Sequence, residues 1–344
     1  MGERSRQTKR PTQADVARLA SVSQPVVSYV LSGDPRAPVA EQTRQRVLEA
    51  IAHLGYVPDH AARSLRNRRT STIAGVIPDI TNPFYPAFER GIQDVAEQAG
   101  YDLITYNTDG TLERERKFLH SALAGRVDGL IITPFHVPMA EIAALAEAGI
   151  PSVALMSEAP PPGSARMDTL SIDGVTAAQT AVLYLIGRGH RRIGMVAGEA
   201  GTPPREKRVL GYIAALREHG LQFDRMLVRG SDFSEAGGYE AARELLQLAE
   251  RPTAIFAAND LMAMGAMAAL REASIAIPEE MAIVGFDDIP AARLIAPPLT
   301  TIAQYPERLG ARAAELLLER LAGGRGLDNR HIVMPFDLVI RQSA

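Results

Sequence analysis

The chain has 344 residues, 46% of them hydrophobic and 22% charged, enough for two or three domains around a sizeable core. It contains no cysteine, which excludes disulfides and thiolate metal sites, and no run of about 18 apolar residues, which excludes a helical membrane span. Net charge is only −3, yet residues 1–70 carry 12 Lys and Arg against 6 Asp and Glu, whereas the remainder carries 25 against 34. A basic head on an acidic body points to a polyanion partner for the head alone. The polar N-terminus lacks the apolar run of a signal peptide, so a cytoplasmic protein is expected.

Residues 1–10, MGERSRQTKR, read as a disordered arm. In PTQADVARLA, Thr12 is a candidate N-cap, and Val16, Ala17, Leu19 and Ala20 form one apolar face of a short helix. Ser21 and Val22 make a turn. Ser23 then caps a second helix running to about Leu31; Pro25 falls in its first turn, where a missing N–H forfeits no intrahelical bond. After the loop SGDPRAP, the run VAEQTRQRVLEAIAHLGY predicts a third helix, with Val47, Leu48, Ile51 and Leu54 inward and Gly55 as its stop. Three short helices with a tight turn between the first two describe a helix-turn-helix domain over residues 11–57. Residues 58–70, which include Arg63, Arg66, Arg68 and Arg69, are too short to hold a helix in isolation. They read as a solvated linker or as a hinge helix that folds only against a partner.

From Ser71 the pattern changes. TIAGVIP is a buried strand, PAFERGIQDVAEQAG a helix stopped by Gly100, YDLITYN a strand, LERERKFLHSALAG a helix, VDGLIIT a strand, AEIAALAEAG a helix and IPSVALM a strand. After the linker APPPGSAR the theme restarts with GVTAAQTAVLYLIGRG and continues through RRIGMVAG, TAIFAAN and MAIVGFDD. Continuous apolar strands between helices predict parallel sheets covered on both faces. The restart predicts two lobes, with any ligand beyond the carboxyl ends of the strands, in the cleft between them.

These motifs carry a family resemblance. ADVARLASVS with VVSYVLSG, LGYVPDHAARSLR, GVIPDITNPFY, RVDGLII, GHRRIGMVAG, RVLGYIAAL, PTAIFAANDLMAMGA, VGFDDIP and PPLTTIAQ follow one another in the order and spacing of the lactose-repressor (LacI/GalR) family of bacterial transcription regulators. The resemblance spans nearly the whole chain. It implies an N-terminal all-α helix-turn-helix domain plus hinge helix, and an α/β core of two parallel-sheet lobes like the periplasmic sugar-binding proteins. The core, 71–344, would hold an N-lobe of about 71–166 and 305–328 and a C-lobe of about 167–304 and 329–344, with crossings near 160–168, 303–306 and 323–329. The resemblance also implies a homodimer on pseudo-palindromic double-stranded operator DNA, usually as a repressor, with a sugar or sugar derivative as effector. The chain stops at LVIRQSA, without the C-terminal helix by which some members form tetramers, so a dimer is expected.

Carried over residue by residue, the resemblance puts Gln24, Pro25 and Tyr29 at base-reading positions of the second helix and Ser23 and Ser28 at phosphates. In AARSLR, Leu65 would wedge into the minor groove and Arg66 would reach its rim. Phe84, Tyr85 and Phe233 would cover apolar faces of the effector. Arg208 would grip hydroxyls or a carboxylate with its planar guanidinium. Asn259 and Asp287 stand just past strand ends, where turn capping is an equal reading. The chain departs from the family at the end of IPSVALM: many members carry an acid there, and this chain has Met156, then Ser157. That loses an acceptor and predicts an effector less hydroxylated on this side.

Other classes fit less well. The sequence has no GxGxxG, GxxxxGK[ST] or GxSxG motif, and its seven histidines lack metal-ligand spacing, so no enzyme, cofactor or metal is expected. A periplasmic-type sugar-binding protein without DNA function would share the core but would not need the basic head.

Overall fold

The computed structural model describes residues 10–32, 39–57, 69–160, 167–323 and 328–344. The arm expected over residues 1–10 and the hinge residues Arg63, Leu65, Arg66 and Arg68 fall outside the described residues, apart from Arg10. Two compact units emerge, Met1–Thr70 and Ser71–Ala344. Among the described residues no helix is long and apolar enough to cross a membrane.

The first unit contains α1 (Gln13–Leu19), α2 (Gln24–Ser32) and α3 (Glu41–Leu54). A capping box starts α1: the Asp15 N–H donates to the Thr12 hydroxyl, and the Thr12 N–H donates to the Asp15 carboxylate. Ser21 turns the chain with φ 53°. Gly55 ends α3 with φ 61°, and the Tyr56 N–H closes back onto the Ile51 carbonyl, a left-handed cap that glycine adopts without a Cβ penalty. Val16, Ala17, Ala20, Val27, Val30, Val47 and Ala50 form the core. Two residues expected inside are not: Leu19 is 50% exposed and Leu48 46%. Three helices this short close around a few small side chains, and the buried stripe of α3 runs through Val47 and Ala50, leaving Leu48 on its flank.

The second unit holds two six-stranded sheets. The first has the order β11-β5-β4-β3-β1-β2, all parallel: β1 Thr72–Ile77, β2 Asp102–Asn107, β3 Gly129–Ile132, β4 Ser152–Leu155, β5 Met167–Ile172 and β11 His331–Met334. The second has the order β12-β10-β9-β8-β6-β7: β6 Ile193–Ala197, β7 Val228–Gly230, β8 Ala254–Ala257, β9 Ala282–Asp287, β10 Thr300–Ala303 and an antiparallel edge, β12 Asp337–Val339. Helices α4 (Phe84–Gln98), α5 (Leu112–Leu123), α6 (Met139–Glu147) and α11 (Pro306–Leu321) serve the first sheet. Helices α7 (Gly174–Gly187), α8 (Pro203–Glu218), α9 (Glu235–Leu246) and α10 (Asp260–Glu272) serve the second. Each sheet starts outward from β1 or β6 and reverses, so each has a switch point where loops diverge and a cleft opens.

The lobe boundaries differ from the sequence expectation. β5 belongs to the first sheet, so the chain first crosses at about residue 173, not near 160–168. β11 also belongs to the first sheet, so the third crossing falls between β11 and β12, at 335–336, rather than near 323–329. Residues 167–172 and 331–334 therefore sit in the N-lobe. The reason is a buried ion cluster: Asp168 on β5, fully buried, accepts from Arg320 of α11 (Nε 3.0 Å, Nη2 2.6 Å) and from the Arg330 backbone N–H (2.8 Å) and guanidinium (Nη2 2.8 Å). This cluster ties three remote segments into one sheet edge. The second crossing follows β10 at Gln304 and Tyr305, where Tyr305 has φ 53°.

Candidate functional site

α2 divides cleanly into two faces. Val27 and Val30 are buried in the small core, while Ser23, Gln24, Pro25 and Tyr29 are exposed and Ser28 is half-buried. The Ser23 carbonyl accepts from the Val27 N–H, so Pro25 stands in the first turn. Tyr29 is 44% exposed and is not part of the small core cluster. The start of α2 thus offers an amide, a proline ring and a phenol on one accessible face.

The seven side chains expected at the effector converge. Phe84, Tyr85, Met156, Arg208, Phe233, Asn259 and Asp287 all line a single cleft of about 450 Å³ between the strand ends of the two sheets, within the size range of small-molecule sites. Phe84 and Tyr85 begin α4 and meet edge to face, ring centroids 5.2 Å apart. Met156 follows β4, beside the end of β3, because Ile132 pairs with Ala154. The second lobe supplies the remaining four.

Arg208 is the electrostatic centre of the cleft. It is 9% exposed and lies 4.0 Å over the Phe286 ring. Its guanidinium donates to the Ala258 carbonyl and stands 3.7 Å from the Asp287 carboxylate. Gln304 Nε2 donates to the same carboxylate at 2.5 Å. Burial pushes Asp287 up to about 6, against the opposing pull of Arg208 and the Gln304 hydrogen bond. Burial likewise pulls Arg208 below its ordinary value and lifts the Tyr85 phenol. Behind Asp287, fully buried Asp260 accepts from the Thr301 hydroxyl (2.6 Å) and the Ile289 N–H (2.9 Å); burial, then the Asp287 charge, raises it well above the usual carboxylate range. The floor of the cleft is therefore a desolvated network of paired charges and hydrogen bonds.

Asn259 is a helix cap and also lines the cleft. Its Oδ1 accepts from the Met262 N–H at 2.8 Å and caps α10, while its Nδ2 donates to the Phe233 carbonyl at 2.9 Å and it still lines the cleft. That bond holds Phe233 at φ 64°. The Phe233 ring then lies over Gly198, where a Cβ would come within 1.9 Å of the ring. Asp288, next to Asp287, pairs with Arg341 at 2.6 Å.

Among the cleft residues not singled out from the sequence, four stand out. Gln304 follows TTIA, a polar residue at a strand end. Asn82 sits in the quoted TNPFY, and its Oδ1 accepts from the Phe84 N–H at 3.0 Å. Thr133 and Phe135 follow GLII at the end of β3; the Thr133 hydroxyl is buried without a partner. Phe135 meets Phe233 across the cleft, centroids 5.9 Å apart. Its loop is braced by Glu115, fully buried, whose carboxylate accepts from the N–H groups of Phe135 (2.7 Å), His136 (3.1 Å) and Val137 (2.6 Å). For Gln304, Thr133 and Phe135 the signal was position just past a strand end; Thr133 and Phe135 were hidden because small or apolar residues there also read as core. Among the described residues no cluster of His, Asp and Glu is arranged to hold a metal ion.

Comparison with known proteins places both units. Residues 12–59 match the model of the bacterial regulatory proteins, lacI family, and residues 182–344 that of a periplasmic binding protein-like domain. The ribose operon repressor of Escherichia coli (strain K12) is 38% identical over 312 residues, 90% of this chain and 93% of that protein. Among solved structures, the regulator CelR in complex with cellobiose is 32% identical, with a TM-score of 0.72 over 97% of this chain and all of that one. The lac repressor dimer bound to operator and the anti-inducer ONPF is 27% identical, with a TM-score of 0.86 over 97% of this chain and 99% of that one.

Proposed function

The chain belongs to the lacI family of bacterial regulatory proteins, and from that premise we propose that it is a repressor whose operator binding is set by a sugar or sugar derivative held in the interlobe cleft. It is a DNA-binding transcriptional regulator, and its relatives are repressors rather than enzymes. The observation that carries the effector reading is convergence: seven side chains spread over 204 residues of sequence, from Phe84 to Asp287, meet in one cleft with a buried Arg–Asp–Gln network at its floor. Arg208, Asn259 and Asp287 grip hydroxyls there, and Phe84, Tyr85, Met156 and Phe233 cover the ring faces.

At the other unit, Gln24, Pro25 and Tyr29 read base edges in the major groove while Ser23 and Ser28 hold phosphates. Leu65 and Arg66 act at the minor groove. The protein works as a homodimer on a two-fold operator, as the lac repressor does in its operator complex. The effector changes operator affinity only by its differential affinity for two core states.

The test is an operator selection from random duplex DNA, followed by gel shifts with and without candidate sugars. A selected palindromic site whose occupancy responds to one sugar is expected. Deleting residues 1–70 should abolish operator binding and leave sugar binding intact; operator binding by the truncated protein would overturn the division of labour.

A further inference from the structure

Asp260 opens α10 directly after the Asn259 cap, yet its side chain turns inward and is fully buried. Strand β9 makes room for it at Gly285, where any Cβ would collide with the Asp260 carboxyl. The carboxyl bridges two segments, the Thr301 hydroxyl of β10 at 2.6 Å and the Ile289 N–H at 2.9 Å. At the end of β9 the chain turns through Asp287 and Asp288, with φ of 118° and 56°. Both angles lie in the region that favours glycine, so the turn is strained and has to be held by its surroundings. Arg341 holds it at Asp288, and Asp260 holds it at Ile289. Ile289 in turn joins the lobes: with Leu261 and Met264 of α10 it packs into the first-lobe cluster that contains Phe84, Phe88 and Leu309.

The charges around Asp260 do not balance. The titratable groups facing it and Asp287 are Arg208 of α8, Tyr85 of α4 and Asp288. Arg341 is engaged by Asp288, and Gln304 and Thr301 are neutral donors. Arg208 stands 3.7 Å from Asp287 and is matched by it. A second ionised carboxylate would sit in a dry site with neutral donors alone, a cost that the first turn of a helix does not return. A neutral acid fits the same contacts. Its carbonyl oxygen, Oδ2, takes the Ile289 N–H, while an Oδ1 hydroxyl donates to Thr301, whose oxygen is also an acceptor. A separation of 2.6 Å suits an O–H···O bond in either direction. Burial, then the Asp287 charge, accordingly holds Asp260 well above the usual carboxylate range.

We infer that Asp260 is a protonated latch: as a neutral acid it clamps Ile289 and with it the seam between the lobes, and loss of that proton in alkaline medium loosens the seam. With the proton gone, two carboxylates face one guanidinium. Relief comes from water, and water reaches a fully buried carboxyl by parting the strained turn at 287–289 from α10. Lobe closure is then linked to pH whatever guest the cleft takes.

The experiment compares the full-length protein with Asp260→Asn, whose amide keeps an acceptor for Ile289 and a donor for Thr301. Infrared spectra at neutral pH, with aspartate carboxyls labelled by carbon-13 to separate them from glutamates, should show the carbonyl band of a protonated acid that the variant lacks. In urea unfolding, the wild-type folding constant should fall against that of the variant by up to about tenfold per pH unit above 3.8, since the folded chain keeps a proton that the unfolded chain gives up. Hydrogen exchange at Ile289 and the start of α10, corrected for the intrinsic rate, should speed up in alkaline medium more in the wild type than in the variant. A missing band, or a variant that loses stability or fails to fold, would mean an ionised carboxylate and would overturn the inference. Exchange that does not differ between the two proteins would overturn it as well, since the carboxyl would then latch nothing.

Discussion

Replacing Asp168 should be among the most damaging single changes in the core. The carboxylate is fully buried, and the Arg320 side chain facing it is fully buried as well. Burial alone would raise the acid, but hydrogen bonds from Arg320 and then Arg330 outweigh it and hold Asp168 below the usual carboxylate range. Breaking a buried pair by removing one partner costs about 3–5 kcal/mol, because the other charge stays behind. Arg320→Leu leaves Asp168 with Arg330, whose guanidinium is 29% exposed, so it should fall near the low end, about 3 kcal/mol. Asp168→Asn removes the negative charge facing the fully buried Arg320 guanidinium and should approach about 5 kcal/mol. The double variant Asp168→Leu with Arg320→Leu should recover most of the loss, since it removes both fully buried charges and leaves the partly exposed Arg330 paired with Glu319. Urea unfolding followed by circular dichroism reads all three. The pH dependence has a definite sign: a depressed pKa means the contribution is present above the ordinary value of 3.8 and is lost as pH falls through the lower folded value. The Asn variant should therefore show a constant deficit from pH 5 to 8 that narrows only in stronger acid. Deficits under about 1 kcal/mol for both single variants, or a double variant worse than either, would refute the reasoning.

Asp287 has the opposite sign. Its carboxyl is raised from 3.8 to about 6, so the folded core binds a proton more tightly than the unfolded chain does, and stability should decline as pH rises between those values. Asp287→Asn should flatten that part of the profile, and an unchanged slope in thermal melts would count against the assignment. Gly198→Ala places a Cβ 1.9 Å from the Phe233 ring, which Asn259 prevents from retreating with its backbone. Overpacking of this kind costs about 1–3 kcal/mol, so effector affinity or melting temperature must fall, and an alanine variant normal in both would be contradictory. In α2, Pro25→Thr and Tyr29→Arg should change which operators are selected by about tenfold or more while moving stability by less than about 0.5 kcal/mol. Identical site preference in a binding-site selection would remove both residues from base reading.

Much of the architecture is legible in the chain because strands such as GLII and AIFA are continuous apolar runs, and each helix announces itself by a cap or a glycine stop. The cleft residues Asn259 and Asp287 are legible for a related reason: polar side chains just past apolar strands have few places to point; Arg208, inside α8, was legible only through the family resemblance. β5 was not legible. MDTLSI mixes Asp168 and Thr169 among apolar residues and looks like a surface segment, yet both polar side chains are buried, and partners about 150 residues or more away make that tolerable, Arg320 and Arg330 for Asp168 and His331 for Thr169. Two missed strands next to crossings, β5 and β11, each moved a lobe boundary. Leu48 was misplaced because the helical period allows either edge of an apolar stripe to face inward, and only the partner helices decide. Thr133 and Phe135 were passed over because nothing in TPF separates a wall of a cleft from a turn over a core.

The strand order has a consequence for synthesis. Helix α11 and strand β11 complete the first sheet from residues 306–334, after the whole second sheet except its edge strand has been threaded between. A chain emerging from the ribosome can finish the helix-turn-helix unit early, but its first lobe must wait, open at the β5 edge with Asp168 still lacking both arginines, until almost the last residues appear. Neither lobe is available as a separable piece of the gene, and premature stops anywhere in the last forty or so codons should yield chains that carry a finished DNA reader and an unfinished core.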